Sequence, residues 1–525
     1  MRKILFFVLA LHSSLFTLHC IAQPAIQWEK CLGGSSDDES RYIYQTNDGG
    51  YIVSGISYSH DGNLDNSNHG SAWIVKLNSN GVIQWEKSYG DSVDDQPKSI
   101  IQTSDGGFIF TGNTGNSAMI NFHGLEDVWV CKLNDTGGVQ WSKCYGGSQS
   151  DYGESIVQTT DGGYILAGQT NSIDGDVSSN HGDYDAWVVK LNDTGAIQWS
   201  KCYGGFNGDA AFVIVKTLDG GYIFSANTLS TDGDVTGNLY SSSDAGWVVK
   251  LNNAGTIQWE KCYGGYNGGT NAYSILQTSE GGYLLGCNTF ATNGDVSGNH
   301  GGTDYWVVKL TDTGDVQWQK CYGGSDEDIG NTVVQTTDGN YAMDGYSKST
   351  DGQVTGNHGL DDYWVVKFDT NGTLLWEQSY GGILEEQAHY MIATNDNGLA
   401  ITGVSTENSD DVTGYHGGQA DYWVVKLNPD SMVGINEIKN KGNIVVYPNP
   451  VSSTLTIRNL SPAGAGRNEI EITDVFGRTV YSQLITHNSS LITQIDVSGF
   501  SNGIYYWRII SGNEVPPNGK IVVLK

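Results

Sequence analysis

Proline is scarce in this chain, 8 in 525 residues, and basic residues are outnumbered, 27 Lys and Arg against 58 Asp and Glu. The net charge of −31 excludes nucleic-acid binding, which needs clustered cations that release counterions from phosphates. It is compatible with cation binding or with plain solubility. After the first two dozen residues no stretch is long and apolar enough to cross a membrane as a helix. No Cys-x-x-Cys pair or Cys/His zinc spacing occurs. No nucleophile elbow, P-loop, His-Glu-x-x-His or dinucleotide fingerprint stands out. No helical periodicity is convincing either.

What is abundant is glycine, 71 residues, without the three-residue period of collagen, which points to many tight turns. Tyrosine (29) and tryptophan (15) are frequent too. Short aromatic segments punctuated by turns predict an all-β protein.

The first residues read as an export signal. Arg2 and Lys3 are followed by a mostly apolar stretch from Ile4 to Leu18, and Cys20-Ile21-Ala22 suits cleavage after Ala22. A lipoprotein reading on Cys20 fits less well, because Thr17 and His19 flank it. Of the other cysteines, Cys31, Cys144, Cys202, Cys262 and Cys321 share one repeat position, while Cys131 and Cys287 stand apart. Equivalent positions in successive repeats lie too far apart to bridge, so they read as small buried residues rather than a disulfide framework.

Repetition dominates residues 24–428. Trp28, Trp85, Trp141, Trp199, Trp259, Trp318 and Trp376 head one series, about 58 residues apart. Trp73, Trp129, Trp187, Trp247, Trp306, Trp364 and Trp423 head a second. One unit predicts four strands, 154–159, 164–168, 186–192 and 196–203, joined by glycine turns. Seven such units specify a seven-bladed β-propeller. Its last repeat stops before a fourth strand, and Ile26–Cys31 is a fourth strand with nothing before it. The N-terminal strand is therefore expected to close the last blade, as in WD-repeat propellers, although the Trp-Asp dipeptide is absent. Both tryptophan series are expected to fill the wedges between blades.

The loop between second and third strands carries the candidate chemistry. Asp174-Gly175-Asp176 recurs as Asp232 with Asp234, Asn293 with Asp295, and Asp351 with Gln353; Asp410 and Asp411 form a variant. Clustered oxygens of this kind suit calcium, although the spacing is not that of an EF-hand and Asp-Gly pairs are also ordinary turn formers. With Asp94, Asp95, Asp151, Asp326, Glu327 and Asp328 on the connections, one face of the disc is expected to be acidic. His-Gly recurs at His69, His123, His181, His300, His358 and His416. Six copies argue for a structural hydrogen bond to the following acid, such as Asp185 or Asp304, rather than for catalysis. The acids are spread nearly equally over the blades, with no break in symmetry to mark an active site.

Residues 429–443 read as a linker. From 444 to 525 the pattern changes to Tyr447-Pro448-Asn449-Pro450, Asp474-Val475-Phe476-Gly477-Arg478, Gly503-Ile504-Tyr505 and the tail Lys520–Lys525. About seven short strands predict a small immunoglobulin-like β-sandwich. These motifs, in this order, resemble the C-terminal sorting domain of the type IX secretion system. That resemblance implies passage through the periplasm, engagement of the secretion machinery by residues 444–525, and a final place on the cell surface or in the medium. The leading functional reading is a non-enzymatic binding or adhesion protein whose repeated acidic loops engage a glycan or surface polymer multivalently. The alternatives are a glycan hydrolase or lyase on a propeller scaffold and a purely structural surface protein.

Overall fold

In the computed structural model the described residues are 23–64, 71–90, 95–240, 243–430, 445–447, 451–458, 468–474, 478–485, 492–510, 518–523 and 525. The expected signal segment 1–22, residues 431–443 of the linker, His69 and Asp94 lie outside them. One compact unit is Ile21–Ser431; the other contains Met432–Lys525.

Among the described residues there is no helix, and the larger unit consists of seven four-stranded antiparallel sheets. Blades 1 to 6 are each four consecutive strands. Blade 3 shows the plan, Asp151–Gln158, Tyr164–Thr170, Asp185–Leu191 and Ile197–Tyr203, paired in that order. The first strand starts three residues before the expected Glu154, because buried Asp151 anchors it: Thr170 and Ser172 hydroxyls and the Gly147 N–H all donate to its carboxylate. The equivalent strands are Asp38–Gln45, Gln96–Gln102, Asp209–Lys216, Thr270–Gln277, Asp328–Gln335 and Glu386–Ala393. These seven strands pack on one another in a closed ring and form its inner wall.

Blade 7 is completed by Ile26–Leu32, which pairs with Asp421–Leu427 so that Cys31 lies opposite Trp423. The ring also closes through side chains. Tyr422 of blade 7 donates to the Trp73 carbonyl of blade 1 at 3.2 Å, and Ser40 donates to the Gly403 carbonyl at 2.6 Å.

The third strand of each blade is sandwiched by neighbouring blades, so its residues are buried on both faces. All seven of its tryptophans are 2% exposed or less. Each indole N–H is satisfied by the fourth strand, for example Trp187 to Ser200 Oγ at 2.8 Å and Trp306 to Gln319 Oε1 at 2.7 Å, as burial requires. A lysine of the same strand, Lys190 in blade 3, is also buried and reaches Asp161 of the Asp-Gly-Gly turn at 2.9 Å.

The fourth-strand tryptophans differ from expectation. All but Trp376 are half-buried at the rim. They pack at the outer end of the wedge, as Trp28 on Tyr51 and Trp85 on Phe108, and also latch the next blade's hairpin: the Trp28 and Trp318 indoles donate to the carbonyls of Ser79 and Thr370. Gly81 and Gly372, at φ 73° and 75°, pack on those rings, where a Cβ would fall 2.7 Å from Trp28 and 3.0 Å from Trp318.

The seven cysteines among the described residues are free, and all but half-buried Cys262 are buried. Burial pushes the thiols of Cys131 and Cys144 up to about 12, so they stay protonated and inert.

Among the described residues the smaller unit has seven strands in two sheets. One orders Val445–Tyr447, Thr454–Arg458 and Ile492–Asp496; the other orders Thr479–Ile485, Asn468–Asp474, Gly503–Ile510 and Asn518–Val523. Leu455, Ile457, Ile470, Ile472, Ile495, Trp507 and Ile521 form its core.

Candidate functional site

The expected calcium loops serve as clamps. Asp174 Oδ1 accepts the Ser148 N–H at 2.7 Å, Asp232 Oδ1 that of Phe206 at 2.8 Å, and Asp351 Oδ1 that of Ser325 at 2.8 Å. Asn293 makes the same bond to the Tyr266 N–H at 2.8 Å. Two residues on, Asp295 and Asp176 accept from the N–H of Gly264 and Gly146 at 3.3 and 3.4 Å, and Gln353 does the same for Gly323 at 3.2 Å. Asp234 ties in through its backbone N–H to the Gly204 carbonyl at 2.8 Å. The position calls for an acceptor oxygen, and an amide supplies it as well as a carboxylate. Among the described residues no three His, Cys, Asp or Glu side chains gather as a metal-ligand group.

The His-Gly elements make the expected bond. The Nδ1 atoms of His123, His181, His300, His358 and His416 lie 2.6–2.9 Å from Asp127, Asp185, Asp304, Asp362 and Asp421. These aspartates are fully buried, and Oδ1 of each lacks a hydrogen-bond partner among the described residues. Each faces the acid that opens the next blade. A Cβ built on Gly146 would fall 2.4 Å from Asp151 Oδ2 and 3.2 Å from Asp127 Oδ1. Five junctions therefore hold a carboxyl pair: Asp127 with Asp151, Asp185 with Asp209, Asp304 with Asp328, Asp362 with Glu386, and Asp421 with Asp38. At the junction of blades 4 and 5 both acids are replaced, by Ala245 and Thr270; Leu239 stands at the histidine position, and the ring of Tyr240, at the position of the following glycine, packs beside Gly264. Asp95, Asp151 and Asp328 thus lie inside the blade junctions, not on the acidic face expected of them. That face also exposes Phe206, Tyr266 and Phe290.

The break in symmetry lies at the centre. In every inner strand one residue is a β-bulge, flanked by register shifts at Ser40/Tyr42, Pro97/Ser99, Gly153/Ser155, Ala211/Val213, Ala272/Ser274, Gly330/Thr332 and Ala388/Tyr390. A bulge re-aims its side chain, here into a central cavity of about 370 Å³. The seven bulged residues are Arg41, Lys98, Glu154, Phe212, Tyr273, Asn331 and His389, all different and all half-buried in the cavity wall. In ring order, His389, Arg41 and Lys98 form a nitrogen-rich arc. Glu154 follows, and Phe212 and Tyr273 make an aromatic arc, edge to face with centroids 4.9 Å apart.

Several groups in this ring have open valences. The Arg41 guanidinium pairs with Glu39 at 2.5 Å, but its Nε is buried with no partner. Lys98 and Glu154 make no ion pair with any described residue. His389 Nδ1 donates to the Ser40 carbonyl at 2.6 Å, which leaves Nε2 as an acceptor. Burial, then the charge of Arg41, push this imidazole down to about 4, so it is neutral at physiological pH. Asn331 donates to the Ala388 carbonyl at 2.6 Å, leaving its amide oxygen free to accept. Beside the ring, Tyr42 and Tyr390 also line the cavity and stack with centroids 3.9 Å apart.

Sequence reading by repeats missed this ring because repeats are recognised by what recurs. The available signal was the reverse: the fourth residue counted from each junction position (Asp38, Asp95, Asp151, Asp209, Thr270, Asp328 and Glu386) never recurs.

Comparison with known proteins decides the C-terminal unit. Residues 445–524 match the family model described as "Secretion system C-terminal sorting domain". This unit is a sorting domain of the type IX secretion system. A chain carrying the sorting domain is exported to the cell surface or the medium. No curated protein matches the chain. Among solved structures, the chain is similar to a protein of unknown function from Dyadobacter fermentans (12% identity, 63% of this chain and 93% of that one, TM-score 0.38). It is also similar to Sqt1 from Chaetomium thermophilum (12%, 76% and 100%, TM-score 0.39) and to a member of the DUF4221 family from Bacteroides vulgatus (10%, 78% and 99%, TM-score 0.34).

Proposed function

We propose that the protein is a secreted or surface-held binding protein whose ligand enters the central channel. Residues 1–22 carry it into the periplasm and the sorting domain carries it onward. The observation that supports the channel is its ring of seven unlike side chains in a molecule whose other positions repeat. Structural demands recur from blade to blade, so a position that varies seven ways while staying accessible answers to something outside the fold. Glu154 is the one acid of the ring, whereas glycoside hydrolysis employs two; binding, not turnover, is the reading. The Asp-Gly-Asp loops are clamps in this view, and calcium is not required.

The experiment compares ligand capture from surface polymer by the purified protein and two variants. Lys98→Glu with Tyr273→Ala is expected to weaken capture at least ~10-fold, the loss of one aromatic and one charged contact at a binding centre. Asp351→Asn is expected to leave capture and calcium-independent melting unchanged. The reverse outcome, loss with Asp351→Asn and none with the channel pair, would return the site to the acidic loops.

A further inference from the structure

We infer that the channel takes an acidic saccharide, a sugar unit carrying a carboxylate or sulfate; this rests on the channel being the binding site. The chemistry of the wall is that of a sugar's complement. Phe212 and Tyr273 offer adjoining aromatic surfaces for the C–H face of a pyranose. His389 Nε2, Asn331 Oδ1 and the Glu154 carboxylate are acceptors for ring hydroxyls. Across the cavity, Lys98 is a donor without a partner among the described residues, whereas the Arg41 Nε is enclosed by the protein and adds its charge from behind. An anionic substituent satisfies Lys98, and charge-assisted bonds of this type are the strong ones. Arg41 already shares Glu39, so Lys98 is the group that would discriminate charge.

A ligand lacking hydroxyls would leave His389, Asn331 and Glu154 unsatisfied once water is displaced. A ligand lacking an apolar face would waste the aromatic arc. A neutral sugar would leave Lys98 unpaired. Blades 4 and 5, which supply the aromatic arc, also expose Phe206, Tyr266 and Phe290 on and beside the connections that lead into their inner strands. That aromatic sector gives further sugar units of a chain a place to lie outside the channel.

The test is calorimetric titration of the full-length protein with three tetrasaccharides: galacturonate, neutral galactose and sulfated galactose. At least ~10-fold tighter binding of an acidic form than of the neutral form is expected, a difference typical of one charged hydrogen bond. The carboxylated and sulfated arms identify the source of the charge. Lys98→Gln should erase the acidic preference without weakening the neutral sugar, and Tyr273→Ala should weaken all three; circular dichroism confirms that each variant is folded. Equal binding of acidic and neutral sugars, or no saccharide binding while capture of another ligand is still lost in the channel variants, overturns the inference and leaves the channel as the site. Saccharide binding indifferent to both substitutions overturns the channel itself.

Discussion

The melting temperature of this protein is expected to fall as pH rises from 5 to 8, on the order of 10 °C. The cause is the set of buried carboxyl pairs at the blade junctions. Burial, and after it the charge of the facing acid, push Asp151, Asp209 and Asp304 up to about 6 and Glu386 up to about 7, against the hydrogen bonds that each accepts. Asp344, buried behind the channel wall with one oxygen unpartnered, is raised by burial to about 8. In each case the folded state holds its proton more tightly than the unfolded chain does. The stability linked to that proton is therefore fully present below about 4, the usual carboxylate range, and is lost as pH climbs through 6 to 8. A shift of two units is worth about 3 kcal/mol at one site. His358, raised by the Asp362 beside it against its own burial, acts in the same direction.

At the acid end the sign reverses. Hydrogen bonds from Thr159 and then Lys190 hold Asp161 at about 2 despite its partial burial, and its contribution is lost as pH falls from 4 towards 2. Half-exposed Asp161 is screened by solvent, so this limb is shallow. The junction of blades 4 and 5 supplies the control. Copying its residues at the two acid positions into the junction of blades 2 and 3, as Asp127→Ala with Asp151→Thr, should flatten the slope between pH 5 and 8 by one site's share. Melting temperatures that stay level or rise across that range would contradict the reading that these buried carboxyls are protonated in the folded state.

The second large effect concerns closure. Deleting residues 23–32 is expected to cost about 5 kcal/mol or more, from the burial of Leu32 and Cys31 and the ladder hydrogen bonds to Asp421–Leu427. It also removes the Gln23 amide bond to the Glu377 carbonyl, the Pro24 carbonyl that accepts from Tyr380, and the Glu29 carboxylate that satisfies the buried Trp423 indole at 3.1 Å. The loss exceeds that of one strand's contacts. An unpaired third strand becomes an edge and invites association. Urea midpoint and size-exclusion profile measure both consequences, and a peptide of residues 23–34 added in trans should restore them. An unchanged midpoint would mean that blade 7 does not depend on its N-terminal strand. Trp28→Ala is the mild counterpart, because Trp28 is half-buried and loses one bond to Ser79.

These two effects divide what could be read from sequence from what could not. The missing fourth strand after Leu427 and the orphan strand at Ile26 are both visible in a linear chain, so closure was legible. So was the histidine–aspartate bond, because six copies with a fixed spacing leave a local partner. Asp151 and Asp174 were not separable: both are acids in glycine-rich connections, and only the packing of one blade on the next buries the first and leaves the second on a loop. The fourth-strand tryptophans look as apolar as the third-strand ones, yet the outermost strand has a neighbour on one edge alone, so their indoles meet the next hairpin at the rim. The channel ring was hidden most completely. A bulge is a property of pairing between strands, and nothing at Arg41, Lys98 or Tyr273 marks the residue locally as the one turned inward.

The central claim is that ligand binds at one asymmetric centre and not at repeated loops, and stoichiometry measures this most directly. Sedimentation or calorimetric titration of the full-length protein with a captured oligosaccharide should saturate at one ligand per chain, with that single event removed by Lys98→Glu and Tyr273→Ala together. Saturation at about five ligands per chain, one for each Asp-Gly-Asp loop or its variant, would contradict it and make the repeated face the site.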